Sequence, residues 1–493
     1  MEPFLIFAAA GVLAVVVLSL IAMGSKSRCS KWKDLPPSPP IVPFLGNLLQ
    51  MTKNPHKTFT KLSKKYGNLF TFWFGVSKPI IIINDQQTAR QAFIHGARGL
   101  SGRPQRYCGS IYTKNFQGIV LKDDDKEWQS MRRLGHHALK MLGEERVFSA
   151  TIIQEECDAL VERIRRRIKL GNALDPTRDL ELSALNVICA LLFGARYAEN
   201  DPEFLRISKA NSWFIEGIQS GNLVDGFPIL RYLPYRPLKL LRDFVKVRDE
   251  ILERKMREHE ATFVKGKIRD FTDAVIDSQV DQSEGDNLTR ENRLALMADL
   301  FLTGTETTAT ALKWAILFLV SAPEKQEKAY QVLQSFSNKP PKYEDKVSLP
   351  YIEALIAEVL RMGSLAPIAV PHKATMDVEL CGYQIPKGTV LLMNIYAMHH
   401  DPKYWQDPDE FRPERFLHEE GHFVIPNASY LPFSLGKRVC LGQSLVKREL
   451  FMIMCHLLKN FKFEKQGTID LEGNFGATLT PKPYKVKVTE RTL

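Results

Sequence analysis

Along the chain, apolar and polar positions fall into a succession of distinct patterns. The first is an apolar run, Phe4 to Met23, with no charged residue inside it. Twenty residues of helix rise about 30 Å, enough to cross the hydrocarbon core of a bilayer. Residues 50–100 mix a short amphipathic stretch with a β-like run, Pro79-Ile-Ile-Ile-Ile-Asn84. From Asp125 to about residue 335 helical spacing dominates, broken near Pro228 and Pro234. A charged loop, Asp281 to Asp286, precedes a long helical pattern from about 290 to 320, and Pro323 marks its end. Residues 370–400 alternate as strands do, around Gly382 and Gly388, and a helix over 441–459 is followed by short strands. This order predicts a mainly α fold: one large helical domain with small β-sheets at its margins, behind an N-terminal transmembrane helix. No internal repeat or mid-chain linker divides it, so residues 46–493 are expected to form the catalytic domain.

The charges around the first run orient it. Glu2 precedes it, while Lys26, Arg28, Lys31 and Lys33 follow. A cleaved signal peptide would carry a shorter apolar region with basic residues in front. The reversed order predicts an uncleaved, single-pass signal anchor over residues 3–23, with its N-terminus lumenal and the rest of the chain cytosolic. Residues 24–45 read as a basic, proline-rich hinge. Its Leu35-Pro-Pro-Ser-Pro-Pro40 is stiff and extended because proline fixes φ and lacks an amide donor. The sequons at Asn287 and Asn427 would then face the cytosol and stay unmodified.

Composition is that of an ordinary globular protein. The excess of 67 basic over 56 acidic residues, +11 in all, favours acidic partners or anionic lipid, or is simply a solvated basic surface. No nucleic-acid partner is expected. The seven cysteines (29, 108, 157, 189, 381, 440 and 455) are widely spaced, without a CxxC pair or zinc-type spacing. That argues against a disulfide framework and for a reducing compartment.

One cysteine has unusual neighbours. Phe433, Gly436, Arg438, Cys440 and Gly442 form F-x-x-G-x-R-x-C-x-G, which chance supplies in about one chain in ten thousand. A buried, inert cysteine would explain Cys440 and leave its neighbours unexplained. A thiolate on haem iron would explain each position. Glycines at 436 and 442 permit close backbone approach, amides just after the sulfur can tune it, Arg438 can pair with a propionate, and Phe433 can cover the sulfur. The segment resembles the haem-binding signature of the cytochrome P450 superfamily, and the similarity extends over nearly the whole chain after the anchor. The resemblance implies that family's fold, haem b, and Cys440 as the axial iron ligand.

Within the long helical pattern, Thr303-Gly304-Thr305-Glu306-Thr307-Thr308 forms a polar notch. Glycine costs about 1 kcal/mol inside a helix and threonine is also a poor helix former. One reading is a tolerated kink, its hydroxyls bonded to the preceding turn. The notch also resembles the family's oxygen-activation motif, with Thr303 in place of the usual small residue. By that resemblance Gly304 opens space for O2, Thr307 orients a water, and Glu306 feeds it protons.

Further motifs follow in the family's order. Glu358-x-x-Arg361 and Phe411-Arg-Pro-Glu-Arg415-Phe match a bracing network, so Glu358, Arg361 and Arg415 are expected to be scaffold. Trp128, Arg132, Arg103 and His372 match propionate-contacting positions; an indole NH and guanidinium on one helical face can both donate to a carboxylate. Gln443 departs from the glutamate frequent after Gly442. No flavin or dinucleotide motif is present, so the resemblance implies electrons from NADPH-cytochrome P450 reductase, with cytochrome b5 as a second donor, at the endoplasmic reticulum membrane. Arg133, Lys140, Lys437, Lys447 and Arg448 are candidates for the basic docking face. Other stretches resemble the clan containing families 1, 2 and 17, which oxidises drugs, polycyclic aromatics, steroids and fatty acids. Candidate pocket residues by that similarity are Phe214, Thr303, Ala366, Ile368 and Ala477, mostly apolar. The expected activity is monooxygenation of a small lipophilic substrate. A reductase-independent haem-thiolate isomerase or dehydratase and a non-enzymatic haem protein are the alternatives; the Glu306–Thr307 pair speaks against the first, and in the second the notch, costly to a helix, would have no purpose.

Overall fold

The computed structural model describes residue 32 and residues 34–75, 78–144, 148–171, 173–226, 228–280, 288–336 and 340–491. The expected anchor at 3–23, most of the basic stretch after it, the loop Asp281 to Asp286 and the Asn287 sequon lie outside them. Among the described residues no helix is long and apolar enough to cross a membrane.

The chain separates into two compact units, one from residues up to Pro104 with Ile368–Ala397, the other from Gln105–Pro367 with Met398–Leu493. In the first, helix α1 (Pro55–Tyr66) precedes strands β1 (Leu69–Trp73) and β2 (Pro79–Ile83), and residues 372–393 add β3 (His372–Lys373), β4 (Val378–Leu380), β5 (Tyr383–Ile385) and β6 (Val390–Met393). The main sheet has the order β1-β2-β6-β3. β1 and β2 form an antiparallel hairpin, β2 pairs with β6 in parallel (Ile80 with Val390), and β3 is antiparallel to β6. Every residue of β2 is buried, as expected of four successive isoleucines in a strand covered on both faces. Pro79 takes the first position, where its missing donor is tolerated. Phe59 of α1 packs edge-on against Phe72, ring centroids 5.3 Å apart. β4 and β5 form a separate antiparallel pair.

The second unit is mainly helical. It runs α2 (Lys126–Glu144), α3 (Phe148–Leu170), α4 (Thr177–Phe193), α5 (Pro202–Gly226), α6 (Arg236–Thr262), α7 (Phe271–Val280), α8 (Arg290–Ser321), α9 (Pro323–Leu333), α10 (Pro350–Gly363) and α11 (Gln443–Asn460). The break expected near Pro228 and Pro234 is a 3₁₀ turn at Pro228–Tyr232 between α5 and α6. Strands β7 (Phe461–Gln466), β8 (Asn474–Phe475), β9 (Leu479–Thr480) and β10 (Lys485–Glu490) close the chain. β10 pairs antiparallel with β7 on one side and with Ala173–Leu174 on the other.

α8 is the spine of this unit. A capping box starts it, with the Thr289 hydroxyl accepting from the Asn292 amide and the Asn292 carboxamide accepting from the Thr289 amide. Pro323 begins α9 at its first position, so α8 ends where the sequence predicts. The first half of α8, through Leu296, Met297 and Phe301, belongs to a core shared with α4, α5 and α6. Its second half, through Leu312, Trp314 and Phe318, belongs to a core shared with α3, α10 and α11. The polar notch lies where the helix passes from one core to the other.

Candidate active site

The cysteine segment folds as a tight reversal. The Cys440 amide donates to the Phe433 carbonyl (2.9 Å) and the Val439 amide to the Gly436 carbonyl (3.1 Å). Ser434 and Gly436 both take positive φ, 63° and 72°. At 436 this left-handed backbone explains the glycine directly. The turn delivers Cys440 to the start of α11, whose N-cap is Gly442. The Gly442 amide donates to the Cys440 sulfur, and this bond and the Arg132 charge both favour the thiolate. Dehydration by the surrounding protein outweighs them and holds the free thiol above its ordinary value.

Cationic and aromatic groups gather beside the sulfur. The Arg438 guanidinium lies 3.9 Å from the Trp128 ring centroid and donates to the carbonyls of Ile119 (3.2 Å) and Lys122 (2.8 Å). Burial pushes its pKa down to about 10. Arg132 donates to the Val439 carbonyl at 2.5 Å. The Trp128 indole NH, read from sequence as a carboxylate donor, instead donates to the Ile119 carbonyl (3.0 Å), holding the segment before α2 against that helix. Phe433 is half-buried at the edge of the core, with the Lys447 ammonium 5.5 Å from its ring.

These residues fit a haem. A thiolate is a soft, electron-rich iron ligand, and two arginines beside it suit anionic propionates. A Cβ at Gly442 would meet nothing within 4 Å, so space for a flat ligand adjoins the cysteine. Arg103 and His372 lie in the first unit. Arg103 donates to the carbonyls of Val370 and Pro371, both at 2.9 Å, and the His372 Nδ1 pairs with the Leu100 carbonyl (2.9 Å).

In the notch, α8 stays a continuous α-helix. Its hydroxyls donate back one turn: Thr303 to Asp299 (2.6 Å), Thr305 to Phe301 (2.8 Å), Thr307 to Thr303 (2.8 Å) and Thr308 to Gly304 (3.0 Å). This is the reading in which hydroxyls satisfy the preceding turn, without a break. A Cβ at Gly304 would lie 2.4 Å from Cδ1 of Ile188, so the missing side chain lets α4 pack closely at this point.

Glu306 is largely withdrawn from water. Its Oε1 accepts from Thr310 Oγ1 and Thr478 Oγ1, both at 3.3 Å. Burial raises its pKa, the Lys313 charge opposes that shift, and Glu181 adds to it. Lys313 in turn reaches Glu181 at 3.2 Å. Sequence reading missed Thr310, Lys313, Thr478 and Glu181. The first two carried a signal, since 306, 310 and 313 form one helical stripe.

Glu358 and Arg361, both fully buried, come together with the half-buried Arg415. Arg361 grips both Glu358 oxygens (2.7 and 2.9 Å), Arg415 Nε adds a third bond (3.0 Å), and the Arg412 amide a fourth (2.9 Å). Arg361 also donates to the His399 carbonyl (2.6 Å). The candidate pocket residues are more dispersed. Phe214 is buried between Tyr112 and Phe244, Thr303 and Ala477 are exposed, Ala366 is half-buried, and Ile368 lies in the first unit, bridged to Asn394. Of the candidate docking cations, Lys437 pairs with Asp124 (3.0 Å) and Arg448 sits 4.9 Å from the Tyr343 ring centroid.

A helical fold with small sheets, and a cysteine turn suited to haem, define a class of haem-thiolate enzymes. The family model for cytochrome P450 matches residues 36–488, and the chain belongs to that family: it is an oxidoreductase, a haem-thiolate monooxygenase. A steroid 17-alpha-hydroxylase/17,20 lyase of Oryzias latipes is 35% identical over 98% of this chain and 97% of that protein. Cytochrome P450 1A1 of Felis catus is 34% identical over 92% and 90%. A zebra fish cytochrome P450 solved with progesterone superposes with a TM-score of 0.79 at 34% identity, covering 88% of this chain and 99% of that one.

Proposed function

We propose that Cys440 is the iron ligand, that Arg132 and Arg438 hold the haem propionates, and that Glu306 and Thr307 manage protons for oxygen activation. When bound, haem would supply one-electron and O2 chemistry, with the Cys440 thiolate as an electron-rich ligand to its iron. The protein's residues do the rest. The Gly442 amide steadies the sulfur, Phe433 shields it, and the Glu358 network braces the scaffold. Burial favours the protonated form of the Glu306 carboxyl, and Thr307, the next residue, presents a hydroxyl that already donates to Thr303 and so has oxygen lone pairs left to accept.

The reaction is insertion of one atom of O2 into a small lipophilic substrate, the other leaving as water. NADPH supplies two electrons through NADPH-cytochrome P450 reductase, with cytochrome b5 as a second donor. Residues 3–23 anchor the chain in the endoplasmic reticulum membrane, residues 24–45 form the hinge, and residues 46–493 form the cytosolic catalytic domain. Arg133, Lys140, Lys437, Lys447 and Arg448 offer the docking charge. A steroid-like substrate is favoured by relatives named as steroid hydroxylases and by the progesterone of the zebra fish structure. Polycyclic aromatics, suggested by the family 1 relatives, are the second reading.

The observation that carries this proposal is the cysteine turn, with the Cys440 amide pinned to the Phe433 carbonyl and its sulfur accepting from the Gly442 amide beside the Arg132 charge. The ferrous carbon monoxide complex should show the strongly red-shifted Soret band of a thiolate ligand, and Cys440→Ala should abolish it. An unchanged band in that variant refutes the ligation. Product formed per NADPH with reductase and a panel of steroids and aromatics then tests reaction and substrate.

A further inference from the structure

We propose that His418, Glu420 and His422 form a surface binding site for a divalent transition-metal ion of the zinc type, separate from the haem site. The three residues occupy alternate positions in a narrow reversal of chain. Leu417 and Phe423 pair as an antiparallel bridge. The His418 amide donates to the His422 carbonyl (2.9 Å), the Gly421 amide to the His418 carbonyl (2.8 Å), and the Val424 amide to the Phe416 carbonyl (2.9 Å). Backbone bonds therefore hold the two histidines side by side, their rings stacked with centroids 4.6 Å apart.

One ligand atom from each side chain lies within 4.8 Å of the others. Oε2 of Glu420 is 3.9 Å from Nδ1 of His418 and 3.7 Å from Nδ1 of His422. Ligands on a tetrahedral zinc ion stand about 3.4 Å apart, given metal–ligand bonds near 2.1 Å. Each carboxylate–imidazole distance need close by only about 0.3–0.5 Å. The His418 Nδ1 accepts from the Glu420 amide at 3.3 Å, so its lone pair already points into the reversal, and a metal would replace a long hydrogen bond. Two imidazoles and one carboxylate select zinc, copper or nickel over calcium or magnesium. All three side chains are exposed, leaving the remaining positions to water.

A second histidine–carboxylate group, His259 with Asp270 and Asp273, makes a useful contrast. There both imidazole nitrogens are engaged, by the Lys255 carbonyl and Asp270, and Arg269 grips Asp273. That trio is buried and fully bonded; the exposed trio carries a long hydrogen bond at His418 Nδ1. An ion at the exposed trio would tie together a hairpin whose base, Phe416, packs on Trp405 and Tyr430.

The test is calorimetric titration of tag-free holoenzyme with Zn²⁺, comparing the native chain with H418A/H422A and with E420H, each first shown to keep its carbon monoxide spectrum. The expected result is one Zn²⁺ equivalent in the native chain, weakened at least about tenfold in the double variant and retained in E420H, since a third imidazole replaces the carboxylate as ligand. An isotherm in the double variant indistinguishable from the native one overturns the proposal. So does loss of binding in E420H, which would show a carboxylate charge effect without a coordination site.

Discussion

Glu358 of α10 and Glu306 of α8 are glutamates held away from bulk water in the same unit, and their surroundings differ in kind. Glu358 is completely buried and receives four donors, three of them from guanidinium groups. Glu306 receives two hydroxyls, each at 3.3 Å, and no guanidinium. The first arrangement fixes a charge in place. The second leaves the acid able to give up its proton, with a pKa raised chiefly by burial. One residue type thus acts as a rivet in one helix and, on the function proposed above, as a proton store in another, and the difference lies in the number and charge of the donors.

The largest expected effect tests the rivet. Glu358→Gln leaves Arg361, itself fully buried, without an anionic partner. Breaking a buried ion pair on one side costs about 3–5 kcal/mol. The holoenzyme should melt at a much lower temperature or fail to retain haem. A melting curve that matches the native one would show that the cluster does not brace the fold.

Glu306→Gln should act on rate while leaving the fold alone. Loss of a positioned proton donor costs about 10²–10⁴-fold in turnover, with NADPH consumption diverted to peroxide. A raised folded pKa also fixes the sign of the pH effect. The protonated acid is favoured in the folded chain, so its stability contribution is full below the ordinary carboxylate value and is lost as pH rises through the raised one. Turnover in the native enzyme should fall over that rise, and the E306Q variant should lack that limb. Equal rates in the two proteins would remove Glu306 from the proton path.

The comparison also separates what the sequence made legible from what it hid. The Glu358–Arg361 pair was legible because residues three apart meet on one helical face, and Arg415, 57 residues further on from Glu358, was legible through its own motif. The second and third partners of the notch were not. Thr478 lies 172 residues from Glu306, and Glu181 lies 132 residues from Lys313; no local pattern encodes either contact. The neighbour of Gly304 was hidden for the same reason, since Ile188 comes from another helix. Trp128 was assigned by its donor chemistry, and the Ile119 carbonyl that takes its NH could be seen only once the segment before α2 was folded. The helix boundaries were legible where proline or a capping box set them, as at Thr289 and Pro323.

A third buried glutamate sharpens the scale with the smallest expected effect. Glu449 on α11 is fully buried, and among the described residues neither of its carboxylate oxygens has a hydrogen-bond partner. Burial first, and then the charge of Glu156, push its pKa well above the ordinary carboxylate range. It is thus further than Glu306 along the series that begins with Glu358: fully partnered, weakly partnered, unpartnered. An unsatisfied buried polar group costs about 1–3 kcal/mol, and an apolar side chain of similar volume removes that cost. Glu449→Met should therefore raise the melting temperature, in contrast to Glu358→Gln. The gain should grow with pH, because a carboxyl with a raised folded pKa loses its stability contribution as pH climbs toward that value, and methionine does not titrate. Thermal melts of the two holoenzymes at acid and alkaline pH measure both trends. A lower melting temperature in the methionine variant would mean that Glu449 is bonded after all, and would place it beside Glu358 as a second rivet.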